Sequence, residues 1–295
     1  IQVNGKGPDA GSGIYPEDVI GQLSDIDRII AKYKVQDVLV AVEANGREDL
    51  VAIISKLDNP DVRLKLLPDF YQIVSGLSKT NQIFGMPIIE ISPEPMPLWE
   101  KAVKRLMDVT ISVVVLIVLA PFLLLVALFI RLGSPGPVIF RQERIGRNGK
   151  PFVMNKFRTM VQDAERKTGP TWAIKNDPRI TKIGYWLRKL RIDELPQLYN
   201  VIRGQMSLVG PRPERDHFVE QFKNQIPLYM RRLRVRPGIT GWAQVNDLRG
   251  EVKSIDDINR RLQHDLFYIE NWSLWFDIRI LLTTSIKIFF SKQAW

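Results

Sequence analysis

VTISVVVLIVLAPFLLLVALFI, running from Val109 to Ile130, is a stretch of 22 residues without a charge. As an α-helix it is roughly 33 Å long, enough to cross the hydrocarbon core of a bilayer. A water-soluble fold rarely needs such a run. A hundred-odd residues precede it, so it does not stand where a cleaved secretory signal stands. Pro121 falls at its middle, where it removes one backbone donor and crowds the preceding turn, which predicts a break between two halves each too short to span alone.

Both flanks are cationic. Lys101, Lys104 and Arg105 stand before the run, and Arg131, Arg141, Arg144, Arg147 and Lys150 follow it. The positive-inside tendency therefore draws both ends to the cytoplasm, as in a re-entrant hairpin. A spanning helix kinked at the proline is the competing reading, and sequence physics alone leaves the two open.

Upstream, the chain changes character. Residues 1–98 hold 9 Lys/Arg against 14 Asp/Glu, whereas residues 99–295 hold 33 against 18. Such asymmetry predicts two units, the second of which meets something anionic: nucleic acid, a phosphorylated substrate or acidic lipid. The glycine-rich Asn4–Gly13 reads as a loop, since no strand precedes it to make a phosphate cradle. Helical spacing over Asp18–Tyr33, a valine-rich strand over Val35–Val42, a second helix over Arg47–Leu57 and short strands at Leu64–Leu67 and Pro87–Ile91 predict a small α/β domain. The proline-rich Pro93–Pro97 reads as a linker.

The chain has no cysteine, which excludes disulfides, thiolate metal sites and thiol nucleophiles, and it has only two histidines, His217 and His264. An acid, base or nucleophile is therefore expected to be a carboxylate. Downstream of the apolar run, basic residues join turn formers in compact clusters: Lys156–Met160, Arg188–Gln197, Pro211-Arg212-Pro213 and Arg236–Val245. Pro196 suits the first turn of a helix running to Ile202 and stopping near Gly204, with Asp193 and Glu194 at its N-terminus. Adjacent side chains diverge, so the two carboxylates can divide the roles of nucleophile and metal ligand; a helix-capping pair is the plain alternative. Arg188 and Arg212 have the planar fork that clamps phosphoryl oxygens, and Pro211 and Pro213 would hold Arg212 in a rigid turn. Arg236–Trp242 reads equally as a close backbone approach to a ligand or as a tight turn with a packed tryptophan. Trp272–Leu281 reads either as an interfacial amphipathic helix or as a terminal helix packed on the core.

Taken together, Lys156–Met160, Asp193-Glu194-Leu195-Pro196-Gln197, Met206–Pro213 and Pro237–Val245 resemble the bacterial polyprenyl-phosphate sugar-1-phosphate transferases. The resemblance runs from about Lys104 to Phe290, taking in Asp108, Pro121 and Tyr268–Ser273. It implies a monotopic enzyme whose re-entrant helix breaks at Ala120-Pro121, with its active site on the cytoplasmic face of the bacterial inner membrane. It further implies Asp193 as nucleophile, Glu194 as ligand to Mg2+, Arg188 and Arg212 on the phosphates, and Lys156 and Arg158 as neighbours of the site. The acidic N-terminal part resembles the Rossmann-like module of larger members, which usually follows a bundle of membrane helices, so the chain is expected to begin inside a longer protein.

The expected fold is thus an α/β Rossmann-like accessory module at 1–92, a linker at 93–100, a re-entrant membrane helix-break-helix at 101–132, and a mainly α (α+β) catalytic domain at 133–295. The expected reaction moves a hexose-1-phosphate from a UDP-sugar to polyprenyl phosphate through a covalent aspartyl phosphosugar. It would release UMP in the first membrane step of exopolysaccharide, capsule or O-antigen synthesis. Expected partners are the UDP-sugar, polyprenyl phosphate, the lipid bilayer and a second copy in a homodimer, with no nucleic acid. A basic membrane-surface or nucleic-acid-binding adaptor without catalysis would also explain the charge, but gives Asp193-Glu194 no purpose. A purely structural partner-binding protein would be indifferent to magnesium and UDP-sugars.

Overall fold

In a computed structural model, residues 19–40, 54, 57, 62–66, 81–83, 86–91, 96–162, 177–250 and 254–290 are described. The chain divides into two units, residues 1–94 and 95–295.

In the first unit, helix α1 (Ile26–Tyr33) buries Ile26, Ile29 and Ile30 on one face, the stripe that helical spacing demands. It begins later than the spacing from Asp18 predicts: Leu23–Asp25 is a single 3-10 turn, and Ile20 is exposed. Gly21, a poor helix former, lies just ahead of that turn. Lys34 adopts the left-handed conformation and its N–H donates to the Ile30 carbonyl, closing the helix. Strand β1 (Asp37–Val40) pairs in parallel with β2 (Arg63–Leu66), while β4 (Met86–Ile91) pairs antiparallel with both β2 and β3 (Asn81–Ile83), giving the order β1-β2-β4-β3. The sheet is mixed, and β1–β2 is its parallel pair among the described strands. Asn4–Gly13, most of Arg47–Leu57 and most of Pro93–Pro97 lie outside the described residues.

The second unit is built on helix α2 (Leu98–Gly133), long and apolar enough to cross a membrane. The expected interruption at Ala120-Pro121 is absent: α2 is one continuous helix with Pro121 inside it. Proline deletes only its own donor, so the ladder closes again on either side of that turn. Both halves of α2 are anchored. In the N-terminal half Lys104, Asp108 and Ser112 are buried, and Val115 and Leu116 pack on the main core around Leu198, Val201, Met206 and Tyr268. In the C-terminal half Val126 and Ile130 pack with Phe157 and Leu187. The remaining face, including Ile117, Val118, Leu124, Leu125 and Leu132, is exposed.

After α2, β5 (Ile139–Ile145) and β6 (Pro151–Phe157) form an antiparallel hairpin. Helix α3 (Lys182–Lys189) lies close against Thr159, because Gly184 has no side chain: a Cβ there would sit 2.0 Å from the Thr159 carbonyl oxygen. Helix α4 (Gln197–Ile202) leads to β7 (Ser207–Val209), which pairs in parallel with β8 (Gly238–Thr240). Here Gly238 is required by contact, since its Cβ would meet the Gly210 nitrogen at 2.1 Å. Helix α5 (Asp216–Lys223) precedes β8, and α6 (Trp242–Val245), α7 (Ile255–Glu270) and α8 (Leu274–Phe290) follow it. Helix α8 combines the two readings of the C-terminal segment: Phe276, Ile280 and Leu281 join the main core, while Trp275, Leu282 and Ile286 stay exposed.

Candidate active site

Lys156, at the end of β6, meets the loop after α3. That loop turns sharply at Arg191, a non-glycine residue with φ 56° and ψ 21°. A left-handed residue of this kind costs on the order of 1 kcal/mol, a cost that recurs at functional sites. The turn delivers Asp193 and Glu194 on a 3-10 turn (Ile192–Glu194). The acids therefore stand just ahead of α4, at its N-terminal end as expected, on a turn of their own; Pro196 is the cap of that helix rather than part of its first turn.

Glu194 is the centre of the cluster. Its Oε1 lies 3.6 Å from Lys156 Nζ and 3.3 Å from Arg212 Nη1, and its Oε2 pairs with the Arg249 guanidinium. Burial by itself raises the pKa of this carboxyl, but Arg249, Arg212 and Lys156 together outweigh it and hold Glu194 well below the usual range. Asp193 behaves in the opposite way. Burial, reinforced by the negative charge of Glu194, lifts it to about 6 against the opposing pull of Lys156, Arg249 and Arg188. Lys156 is lowered to about 7 by burial and by the nearby Arg212, and Arg191 to about 10 by burial and Arg249.

Arg188, on α3, donates from Nε to Thr159 Oγ1 at 3.0 Å, which aims its fork; burial lowers its pKa, against the supporting charge of Asp193. Arg212 is held through its backbone: its carbonyl accepts from Arg232 Nη2 at 2.9 Å, the Pro211 carbonyl accepts from the Gly238 N–H at 2.9 Å, and the Pro213 carbonyl accepts from Arg144 Nη1 at 3.1 Å. The two prolines thus brace Arg212 by fixing their carbonyls as well as φ. Gln244, on α6, accepts from Arg212 at 3.4 Å, so Arg236–Val245 is a packed turn that also reaches the cluster.

The structure brings Asp193, Glu194, Lys156, Arg188 and Arg212 together, and it leaves Arg158 out. The Arg158 guanidinium donates to the Ser134 carbonyl at 2.7 Å, Ser134 Oγ at 2.9 Å and the Pro135 carbonyl at 2.8 Å, tying down the C-terminal end of α2. On a strand Lys156 and Arg158 would share a face, but β6 ends at Phe157 and the alternation ends with it. Arg249, Arg191 and Gln244 escaped the sequence reading. Of these Arg191 and Gln244 lie within clusters recognisable beforehand; Arg249 stands alone in a polar turn.

In this cluster the buried cations outnumber the two carboxylates, a surplus that an incoming phosphate could redress. The sequence profile of the bacterial sugar transferase family matches residues 99–291, which contain the whole cluster.

The chain belongs to the bacterial sugar transferase family.

Among curated members, the UDP-glucose:undecaprenyl-phosphate glucose-1-phosphate transferases of Klebsiella pneumoniae and Escherichia coli strain K12 are each 37% identical to it over its full length. The chain spans 63% of the length of each. The UDP-N-acetylgalactosamine-undecaprenyl-phosphate N-acetylgalactosaminephosphotransferase of Aeromonas hydrophila is 42% identical over 213 residues, 72% of this chain and 49% of its own length. Membership of the bacterial sugar transferase family fits the long apolar helix, because the relatives are named for a lipid-linked phosphate acceptor.

Proposed function

We propose that the chain transfers a hexose-1-phosphate from a UDP-sugar to undecaprenyl phosphate through a covalent intermediate on Asp193. The observation that carries this reading is the buried Asp193–Glu194 pair set against Lys156, Arg188, Arg212 and Arg249. Arg212 and Arg249 are exchangeable partners: they neutralise Glu194 until a diphosphate arrives, and Arg188 is already aimed by Thr159. An Asp193 carboxylate oxygen forms a bond to the sugar-bearing phosphorus, the bond from that phosphorus to the bridging oxygen breaks, and UMP leaves with the electron pair. An oxygen of the lipid phosphate then attacks the same phosphorus, the acyl phosphate bond breaks, and the Asp193 carboxylate is regenerated. The arginines contribute by orientation and by offsetting charge on the phosphoryl oxygens.

Magnesium belongs to the same proposal. Among the described residues no group of three or more His, Asp or Glu could hold a metal, but magnesium takes one or two carboxylates alongside substrate phosphates, a habit that the Asp193–Glu194 pair fits. Glu194, beside Asp193, would hold it, and the bound ion would offset charge on the diphosphate.

The membrane disposition is a monotopic one at the cytoplasmic face of the inner membrane. Apolar clusters of the same unit pack against both halves of α2, which supports a helix lodged against that unit over one passing straight through the bilayer. The N-terminal unit is assigned as a Rossmann-like accessory module on its parallel β1–β2 pair. The test is UMP release from a panel of UDP-sugars by protein in lipid nanodiscs with magnesium and undecaprenyl phosphate. One sugar of the panel should support turnover, and absence of UMP release with every sugar contradicts the reading.

A further inference from the structure

The foot of α2 touches both elements that carry the site. Arg105 donates from Nη1 to the Val201 carbonyl at 2.6 Å and from Nη2 to the Ile202 carbonyl at 2.7 Å, capping α4, the helix that follows Asp193 and Glu194. One residue earlier, Lys104 donates to the Val209 carbonyl at 3.2 Å and pairs with Asp277 of α8. One turn later, Asp108 accepts from Ser207 Oγ at 2.7 Å and from the Leu208 N–H at 3.1 Å. Tyr268 adds a hydroxyl 3.1 Å from the Val209 carbonyl and 2.8 Å from Asp277 Oδ1. Strand β7 is therefore held at three successive residues by side chains from α2 and its partners, and it leads through Gly210 and Pro211 to Arg212.

Lys104 and Asp108 are nine-tenths or more buried, at 9% and 1% exposure, so these contacts are shielded from water; Lys104 is matched by Asp277, and Asp108 is satisfied by neutral donors. Surface solubility does not explain them. A plain anchor for α2 would need no polar groups at all, since Val115 and Leu116 already bind the helix to the core. What the polar contacts add is register: one rigid helix fixes the end of α4 on one side and β7 on the other.

We propose that Lys104, Arg105 and Asp108 are positioning residues that set the distance between the Asp193–Glu194 pair and Arg212, so that seating of α2 in the bilayer aligns the site. They touch no reacting atom; they act through β7 and α4. This rests on the sugar-1-phosphate transfer proposed above.

The experiment is a lipid-acceptor-free burst of UMP from the accepted UDP-sugar, measured on the full chain in nanodiscs. Burst amplitude counts competent sites and the burst rate constant reports alignment, so a residue needed only for folding lowers the amplitude alone. For Asp108→Asn and Lys104→Met the expected result is full amplitude with a rate constant lower by roughly tenfold to a hundredfold, the scale on which misplacement by about 1 Å acts. Lys104→Arg, which keeps the charge and the reach, should recover most of the rate. Where either variant accumulates poorly, Tyr268→Phe loses one hydroxyl from the same network and should slow the burst in the same sense. A parent rate constant in these variants, whether at full or at reduced amplitude, overturns the proposal. Absence of UMP release from the parent protein overturns the transfer reading instead.

Discussion

Asp193 and Glu194 are neighbours in the chain, yet the protein holds them in opposite states. Glu194 is surrounded by cations and its charge stabilises the fold, whereas Asp193 is desolvated beside a second negative charge. Substitution should therefore act with opposite sign. Because the Asp193 pKa rises from 3.8 to about 6 on folding, its ionisation removes stability as pH climbs through that window. Asp193→Asn should then melt above the parent at pH 7.5, by a margin that shrinks as pH falls below 6 and vanishes near 3.8. Glu194→Gln leaves Arg212, Arg249 and Lys156 uncompensated, which should cost about 3 kcal/mol or more and lower the melting temperature. Scanning calorimetry of both variants checks the signs; a common direction contradicts this account. The burst rate itself should rise with pH through about 6 as Asp193 ionises, and decline above about 7 as Lys156 loses its charge. At this scale the acids, Arg188, Arg212 and Lys156 were legible because basic residues and turn formers crowd together around them. Arg249 was not, since its role arises only when the turn after α6 folds back onto Glu194. Arg158, assigned by resemblance alone, binds the end of α2 instead, because β6 stops at Phe157 and the Arg158 side chain turns away from that of Lys156.

Among the elements, α2 was the most legible from composition and the least so in shape. Its apolar run announces a bilayer, but proline propensity overstates its effect: one missing donor leaves the helix continuous from Leu98 to Gly133. Its packing is invisible in the run itself: Lys104 and Asp108 at one end and Val126 and Ile130 at the other are buried against the same unit, which favours the proposed monotopic disposition. Cysteines placed at Lys101 and Arg141 should accordingly be labelled by an impermeant reagent from the same, cytoplasmic side of right-side-defined vesicles. Labelling from opposite sides contradicts a monotopic α2. Because α2 runs continuously through Pro121, Pro121→Leu should restore one backbone donor and leave the burst rate close to the parent's; a large fall in rate would show that the proline shapes the helix. In the first unit the hydrophobic spacing located α1, β1, β2 and β4, while the antiparallel pairing of β4 with β2 and β3 depends on loop geometry that spacing does not encode.

For the whole molecule, charge and structure tell one story. An acidic unit of residues 1–94 precedes a basic unit that carries the apolar helix, and the excess positive charge of the second is partly concentrated around Glu194. The central claim is that this concentration serves covalent phosphosugar transfer on Asp193, and it is tested most directly by trapping the intermediate. With magnesium, the accepted UDP-sugar and no lipid acceptor, the account predicts a stop after about one UMP per active site. The sugar phosphate should then be found by mass spectrometry on the peptide carrying Asp193, released by hydroxylamine as an acyl phosphate is, and discharged by added undecaprenyl phosphate. Normal turnover with lipid, but neither burst nor adduct on that peptide without it, would contradict the account.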